Sequence, residues 1–393
     1  MKKNNNKENF LPFALPMVGK EEIDEVVDTL KSGWLTTGAK TRKFEEDFKA
    51  YIGAKHALAV NSCTAALHLA LVALDIKNGD EVIVPTMTFT ATAEVVTYVN
   101  AKPVFVDCDP ETFLIDINDI RKKITPRTKA IIAVHYAGQS CDINAISKIA
   151  KEYNLKVIWD AAHSLPTFYK GKNIGQFSDI VCFSFYVTKT ITTGEGGMVV
   201  TNNKKYADKM KIASLHGLSR DAWNRYKKGG SWQYDIVMPG FKYNLTDIAS
   251  SVGIHQLKKA NLFLEKRTAI AKAYNEAFKE IQGIKPLSVV PYGEHAWHLY
   301  VIKINKELLG IDRDNFIKKM SENSIGTSVH FIPLHLQTYW KKTYNLKPVD
   351  FPMMTRAYEE IVSLPIYPKM TDEDVKKIIY VVKDILNLKK NEK

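Results

Sequence analysis

Short, almost wholly apolar runs alternate along this chain with longer segments of helical period, and that alternation narrows the available folds more than any other feature. The runs at 56–60, 81–85, 103–106, 130–135, 156–159, 180–184 and 197–201 are rich in Val, Ile and Phe. Runs of that length and purity are the mark of strands buried on both faces. Between them, 41–51, 64–74, 90–99, 142–153 and 204–215 carry apolar residues at helical spacing. The alternation predicts an α/β fold with a mainly parallel sheet between layers of helices. The segment TAALHLALVAL at 64–74 is apolar on nearly every side, so its helix is expected to be buried.

Past residue 246 the alternation stops. A single long helix is expected over 247–278, its middle linking to a second unit. Apolar runs at 298–304 and 327–331 and a terminal helix over 372–386 predict a smaller C-terminal α+β domain. The expected organisation is an N-terminal extension over 1–13, a large domain over 14–260 and a small domain over 261–393. At 393 residues the chain is long enough for two such cores.

Charge excludes less than it first suggests. The 55 Lys and Arg exceed the 43 Asp and Glu by 12, yet the lysines are scattered and the densest runs lie at 1–7 and 389–393. Neither a nucleic-acid nor a membrane partner is expected from such a distribution, whereas an anionic small molecule remains compatible with it. Cys63, Cys108, Cys141 and Cys182 are far apart and form no metal-ligand spacing. The opening MKKNNNKENF lacks an apolar stretch after its basic residues, and the expectation is a cytoplasmic protein.

Three blocks carry chemistry. In SFYVTKTITTGEGGMVVT (184–201), Lys189 stands between a strand and a glycine-rich turn, with no carboxylate until Glu195. A lysine buried there loses the stabilisation of its charge, its pKa falls, and it becomes a nucleophilic amine; on a surface helix it would be only a solvated charge. In VIWDAAHS (157–164), Asp160 comes at the C-terminal end of a strand, where open α/β sheets place their ligands. It could cap the next helix, or it could hold a protonated pyridine nitrogen, with His163 on the same turn against the ring. In NSCTAALHLAL (61–71), Ser62 and Thr64 open a helix whose N–H groups and dipole suit a phosphate. Together these are the parts that a pyridoxal enzyme needs.

The ordered motifs resemble one family from end to end: SGWLTTG, NSCTAALHLAL, GDEVIVPTMTF, ITPRTKAIIAVHYAG, DAAHS, the SFY…TGEGG block, PGFKYNLTDI, HAWHLYVI, GTSVHFIPLH and SLPIYP. The chain resembles the DegT/DnrJ/StrS family of sugar aminotransferases, within it the branch of the UDP-4-amino-4-deoxy-L-arabinose–oxoglutarate aminotransferase. The resemblance implies a fold type I aminotransferase and pyridoxal 5'-phosphate as cofactor. It makes Lys189 the imine lysine and Asp160 the partner of the ring nitrogen. Ser62, Thr64, Ala65 and Ser184 would line the phosphate site, and Phe89 would stack on the ring. Asn244 would reach the phosphate of a neighbouring subunit, which implies a homodimer with shared active sites. Leu35, Thr36, Thr37, Gly38, Tyr186 and His330 fall at substrate-contacting positions. His163 is as in the arabinose branch, and Tyr186 stands where that branch has His.

The activity implied is transfer of an amino group from L-glutamate, released as 2-oxoglutarate, to the C4 keto group of a nucleotide-linked sugar. The basic, aromatic loop 220–238, with Arg220 and Arg225, is expected to hold the nucleotide diphosphate; the alternative is a solvated surface loop whose aromatics pack on the core or on a dimer partner. A 3-keto sugar, or a dTDP or GDP carrier, is the alternative within the family. A non-catalytic regulator would be expected to lack Lys189 or Asp160. A Rossmann oxidoreductase would be expected to show G-x-G-x-x-G after an early strand.

Overall fold

The computed structural model describes residues 10–177, 179–219 and 233–386. The buried runs form one sheet of seven strands: β1 (His56–Val60), β2 (Glu81–Pro85), β3 (Lys102–Val106), β4 (Thr128–Val134), β5 (Lys156–Asp160), β6 (Ile180–Ser184) and β7 (Gly197–Thr201). Their spatial order is β1-β7-β6-β5-β4-β2-β3. From β3 to β6 neighbours are parallel, and β7 runs antiparallel between β6 and β1. Alternate residues enter opposite cores: Ile131, Trp159, Val181 and Phe183 go to one, and Ile132, Ile158, Ile180 and Cys182 to the other. With both faces dry there is no polar alternation, which is why the strands read as unbroken apolar runs.

The helices around the sheet are α1 (Lys20–Ser32), α2 (Ala39–Ile52), α3 (Cys63–Ala73), α4 (Ala91–Tyr98), α5 (Ile117–Lys123), α6 (Ile143–Glu152) and α7 (Lys204–Ala213). α3 is buried nearly throughout, as its all-round apolar sequence demands, and Ser62 caps it by accepting the Ala65 N–H at 3.0 Å.

Two expected elements differ. The helix over 247–278 is two helices, α8 (Asp247–Lys258) and α9 (Ala260–Phe278), broken at Lys259 with φ −94° and ψ −2°. The Lys259 N–H bonds three residues back, to Gln256 O, and its ammonium is held on Glu22 Oε1 and Oε2 of α1 at 2.8 Å each. The tertiary anchor outweighs helical propensity there. The run at 327–331 makes no strand and keeps a single bridge, Ser328 to Ser363, because the chain turns away to bring His330 and Phe331 to the central sheet.

A separate apolar core gathers the antiparallel strands β8 (Ile284–Pro286), β9 (Tyr300–Ile304) and β10 (Ile361–Leu364) with helices Arg313–Glu322 and Asp372–Ile385. Leu11 is buried in it, and its backbone bonds Ser324 O and the Gly326 N–H at 2.9 and 2.8 Å. Among the described residues no helix is long and apolar enough to cross a membrane.

One glycine sets how the strand ends meet. Gly197 faces Val60 of β1 and Ser184 of β6 in register. A Cβ at 197 would lie 2.5 Å from Ser62 C and 2.7 Å from Cys63 N, backbone atoms that cannot swing aside. Gly197→Ala is therefore expected to cost about 1–3 kcal/mol of stability, as overpacking does, and to displace the start of α3. An earlier urea midpoint with weaker cofactor retention is the expected result; an unchanged midpoint would show that the strand ends have slack.

Candidate active site

The parallel strands all end at one edge of the sheet, and the site is built from the residues just beyond those ends. A cavity of about 510 Å³ opens there, a size ordinary for a cofactor with substrate. Its wall includes Ser62 and Thr64 after β1, Phe89 after β2, Asp160 and His163 at the end of β5, Ser184 closing β6, and Tyr186 and Lys189 beyond it. His330 enters from the segment that failed to form a strand. Residues far apart in sequence are thus brought to one place.

Asp160 is 4% exposed. Its Oδ2 accepts from Thr92 Oγ1 at 2.8 Å and its Oδ1 from the Ala162 N–H at 3.1 Å. Burial raises its pKa, while these two bonds and the charge of Lys189 draw it back. Lys189 is half-buried as a residue, but its ammonium is enclosed, and burial lowers its pKa to about 8 against the pull of Cys63 and Asp160. Near neutral pH about a tenth of Lys189 is then free amine, against well under a hundredth for a solvated lysine, and that free share is what a nucleophile or proton carrier requires.

Three histidines share the cavity. His163 Nδ1 accepts the Ala137 N–H at 3.3 Å, which leaves the ring proton on Nε2. Its ring stacks on Phe331 at 5.7 Å and lies 4.4 Å from His298. Burial and the charge of Lys189 hold His163, His298 and His330 below the ordinary imidazole range, so all three are neutral near pH 7. Phe89 is 59% exposed at the cavity and meets the ring of Phe331 at 6.0 Å. Its open face is what a flat ring would cover.

Not every expected residue reaches this wall. Ala65 lies one turn inside α3, with its N–H already taken by Ser62. Asn244 lies across from Val60 and donates from Nδ2 to Thr37 Oγ1 at 2.8 Å, while the Gly38 N–H donates to Asp247 Oδ1 at 2.7 Å. Thr36 O accepts the Asp247 N–H at 3.2 Å, and Leu35 is exposed on the same turn. The SGWLTTG turn and the FKYNLTD motif are therefore fastened together, but outside the cavity. Arg220 and Arg225 lie at 220–232, outside the described residues.

Sequence reasoning missed Thr92, which orients Asp160, and Phe13, Phe331 and His298 in the wall. His298 and Phe331 stand inside the motifs HAWHLYVI and GTSVHFIPLH, so the signal was available without a role. Phe13 had none, since its position reads as part of a terminal extension.

The donor set fits pyridoxal phosphate. An enclosed amine, a buried carboxylate, hydroxyls at a capped helix start and an open aromatic face line one cavity. Comparisons with known proteins agree. The profile of the DegT/DnrJ/EryC1/StrS aminotransferase family matches residues 16–383. The chain is similar to the uncharacterized protein MJ1066 of Methanocaldococcus jannaschii, at 55% identity over 97% of this chain and 99% of that protein. It is 47% identical to the spore coat polysaccharide biosynthesis protein SpsC of Bacillus subtilis, over 97% of this chain and 98% of that protein. The putative sugar aminotransferase Spr1654 of Streptococcus pneumoniae superimposes in its PLP form with a TM-score of 0.88 at 34% identity, covering 96% and 99% of the two chains. Its PMP form gives 0.89 at 35%, with the same coverage.

The lowered pKa of Lys189 makes a pH prediction. Free amine is the form that captures an aldehyde, and its population rises by about tenfold per pH unit below the pKa and levels off above it. Cofactor-free protein mixed with pyridoxal phosphate should gain visible absorbance at a rate that breaks near pH 8. A rate still climbing past about pH 10 would mean that Lys189 is an ordinary solvated lysine, and Lys189→Ala should gain no such absorbance.

Proposed function

We propose, from the premise that the chain belongs to the DegT/DnrJ/EryC1/StrS aminotransferase family, that it transfers the amino group of L-glutamate to the C4 keto group of a UDP-linked sugar for surface polysaccharide synthesis. It is a pyridoxal-phosphate-dependent sugar aminotransferase. The observation that carries the reading is the enclosed pair Lys189 and Asp160 in one cavity. Likeness to SpsC, named for spore coat polysaccharide, supports the pathway class. The UDP carrier and the C4 position are supported by the motif resemblance.

When bound, the cofactor supplies an electron sink that makes the α-proton of an amino acid removable. The protein's part is then to orient and to move protons. Asp160, aimed by Thr92, would accept a hydrogen bond from the ring nitrogen and keep it protonated. Ser62, Thr64 and Ser184 would hold the phosphate, with the start of α3 behind them. Phe89 would stack on the ring, and His163 would hydrogen-bond to it or stack against it. Lys189 Nζ takes the proton from one carbon and returns it to another. Tyr186, His330, Arg220 and Arg225 would contact the sugar nucleotide.

In this reading the enzyme is a cytoplasmic homodimer, with a large domain over 14–260 and a small one over 261–393. The turn over 35–38 and Asn244 complete the cavity of the neighbouring subunit. Exposed Ile23, Val27 and Leu30 on α1, followed by Trp34 and Leu35, give an apolar stripe beside that turn, suited to burial against a second copy.

Two experiments test this. Incubation with L-glutamate and a panel of UDP-, dTDP- and GDP-linked keto sugars should yield a UDP sugar bearing the amine at C4. An amine at C3, or turnover with dTDP or GDP sugars alone, would overturn the substrate assignment. Inactive Lys189→Ala and Asn244→Ala, mixed with subunit exchange, should regain about a quarter of wild-type activity, because half the dimers then hold one intact site of two. No recovery on verified exchange would place Asn244 in its own subunit's site.

A further inference from the structure

Among the described residues three buried side-chain atoms lack a hydrogen-bond partner: His135 Nε2, Arg267 Nε and His298 Nδ1. Such atoms are few in folded proteins, and each calls for a reason. His135 stacks flat on Trp159 away from the cavity wall. The other two belong to one corner of the active site.

His298 is 6% exposed and forms part of the cavity wall. The turn that carries it is heavily braced. Trp297 has φ +50°, a conformation that bulky side chains avoid. Its N–H donates to His295 Nδ1 at 2.8 Å, and the two rings stack at 4.1 Å. Arg267 donates from Nη1 to the carbonyls of Trp297, His298 and Ile366 at 3.1, 3.4 and 2.6 Å. The N–H groups of Ala296 and Leu299 close on Gly138 O and Ala137 O at 2.7 and 3.1 Å. A Cβ on Gly138 would stand 3.1 Å from His298 N, so glycine is what lets the turn approach. Strain braced from several sides is kept where a side chain must be held for use.

The electrostatics indicate the use. The groups acting on His298 are Lys189, His163, Arg267 and His330, each a cation or able to become one. Arg267 is buried, and its guanidinium donates to backbone carbonyls rather than to a carboxylate. The corner thus holds the buried charge of Arg267 beside an imidazole whose Nδ1 no protein group engages. A neutral sugar hydroxyl would answer only the nitrogen, whereas a carboxylate answers both. We propose that His298 anchors the α-carboxylate of the amino-acid donor. That carboxylate is one bond from the carbon whose proton Lys189 must reach, and Lys189 and His298 line the same cavity.

The proposal rests on the aminotransferase reading but not on the identity of the sugar. The donor half-reaction of the holoenzyme can be followed alone, by the loss of visible absorbance on adding L-glutamate or its α-amide, isoglutamine. In His298→Leu the KM for L-glutamate should rise about 10- to 100-fold, the worth of a hydrogen bond to a charged group. The wild-type preference for L-glutamate over isoglutamine should shrink by the same factor. The half-reaction with the keto sugar and the starting visible spectrum should stay as in wild type. His298→Gln, which retains a donor, should recover part of the loss, and it carries the same comparison if the leucine variant does not fold. Equal losses for L-glutamate and isoglutamine would make His298 a packing residue. A loss confined to the keto-sugar half-reaction would make it a sugar contact, and an altered starting spectrum a cofactor contact; each overturns the proposal. If wild type aminates no keto sugar while the donor half-reaction behaves as stated, the acceptor assignment fails and this one stands.

Discussion

Everything in this site answers to the burial of Asp160. A carboxylate out of water tends to take up a proton, and the fold counters this with Thr92 Oγ1, the Ala162 N–H and the charge of Lys189. The backbone is fixed by the adjoining strand, since the His135 N–H at the exit of β4 donates to Asp160 O at 3.0 Å. Lys189 is the mirror case, an amine whose charge is disfavoured by the same enclosure. Burial shifts each group's pKa towards the neutral form. A molecule with a protonatable ring nitrogen and an aldehyde gains from both conditions at once, because the first gives the buried carboxylate a cationic partner and the second consumes the amine. The cavity is thus selective for that cofactor through desolvation as much as through shape.

The sheet was legible because its strands are dry on both faces, and the pyridoxal blocks were legible because each comes directly after such a strand. Asp160, Ser184 and Gly197 lie in neighbouring rows at one edge, so finding the strand ends amounted to finding the site. The parts that stayed hidden depend on contacts between distant segments. No local pattern announces that Lys259 will reach Glu22 and split a helix, or that 327–331 will leave the small sheet to line the cavity. α1 was overlooked because its sequence, KEEIDEVVDTLKS, is mostly charged; its buried Glu22 is tolerated through Gln256, Lys259 and the Gly19 N–H. Asn244 and the SGWLTTG turn were tied to the active site by resemblance. Within one chain they pair with each other instead, which is intelligible if they face a second subunit.

The histidines show how environment divides labour among like groups. His163, His298 and His330 sit in one cavity and are all neutral, yet their nitrogens differ in occupation. His163 is fixed by the Ala137 N–H, and His330 by Ser363 Oγ at 3.0 Å, whereas His298 has its backbone braced and its Nδ1 unpaired. A ring with a satisfied nitrogen is oriented by that bond, whereas His298 is oriented by its braced backbone. Neutrality is what permits three imidazoles to share a small space with Lys189, since three cations there would repel one another and the ammonium.

The start of the described chain joins these parts. Leu11 is bonded to the small core between Ser324 and Gly326, and a Cβ on Gly326 would come 2.9 Å from Phe13 N, so the glycine makes room for the segment to lie flat. Phe13 then stacks on His330 at 5.2 Å inside the cavity wall, and Met17 O accepts from Gln256 Nε2 at 2.9 Å. Ala14 to Met17 line a second, narrow cavity shared with Lys189 and Arg267. One short stretch therefore reaches the small core, His330, the surroundings of Lys189 and the helix that comes after Asn244. Its residues stand with Lys189 around that narrow cavity, and enclosure of the amine is the condition for its lowered pKa. A segment that looks like a tail in the sequence is, in the fold, part of the surroundings of that lysine.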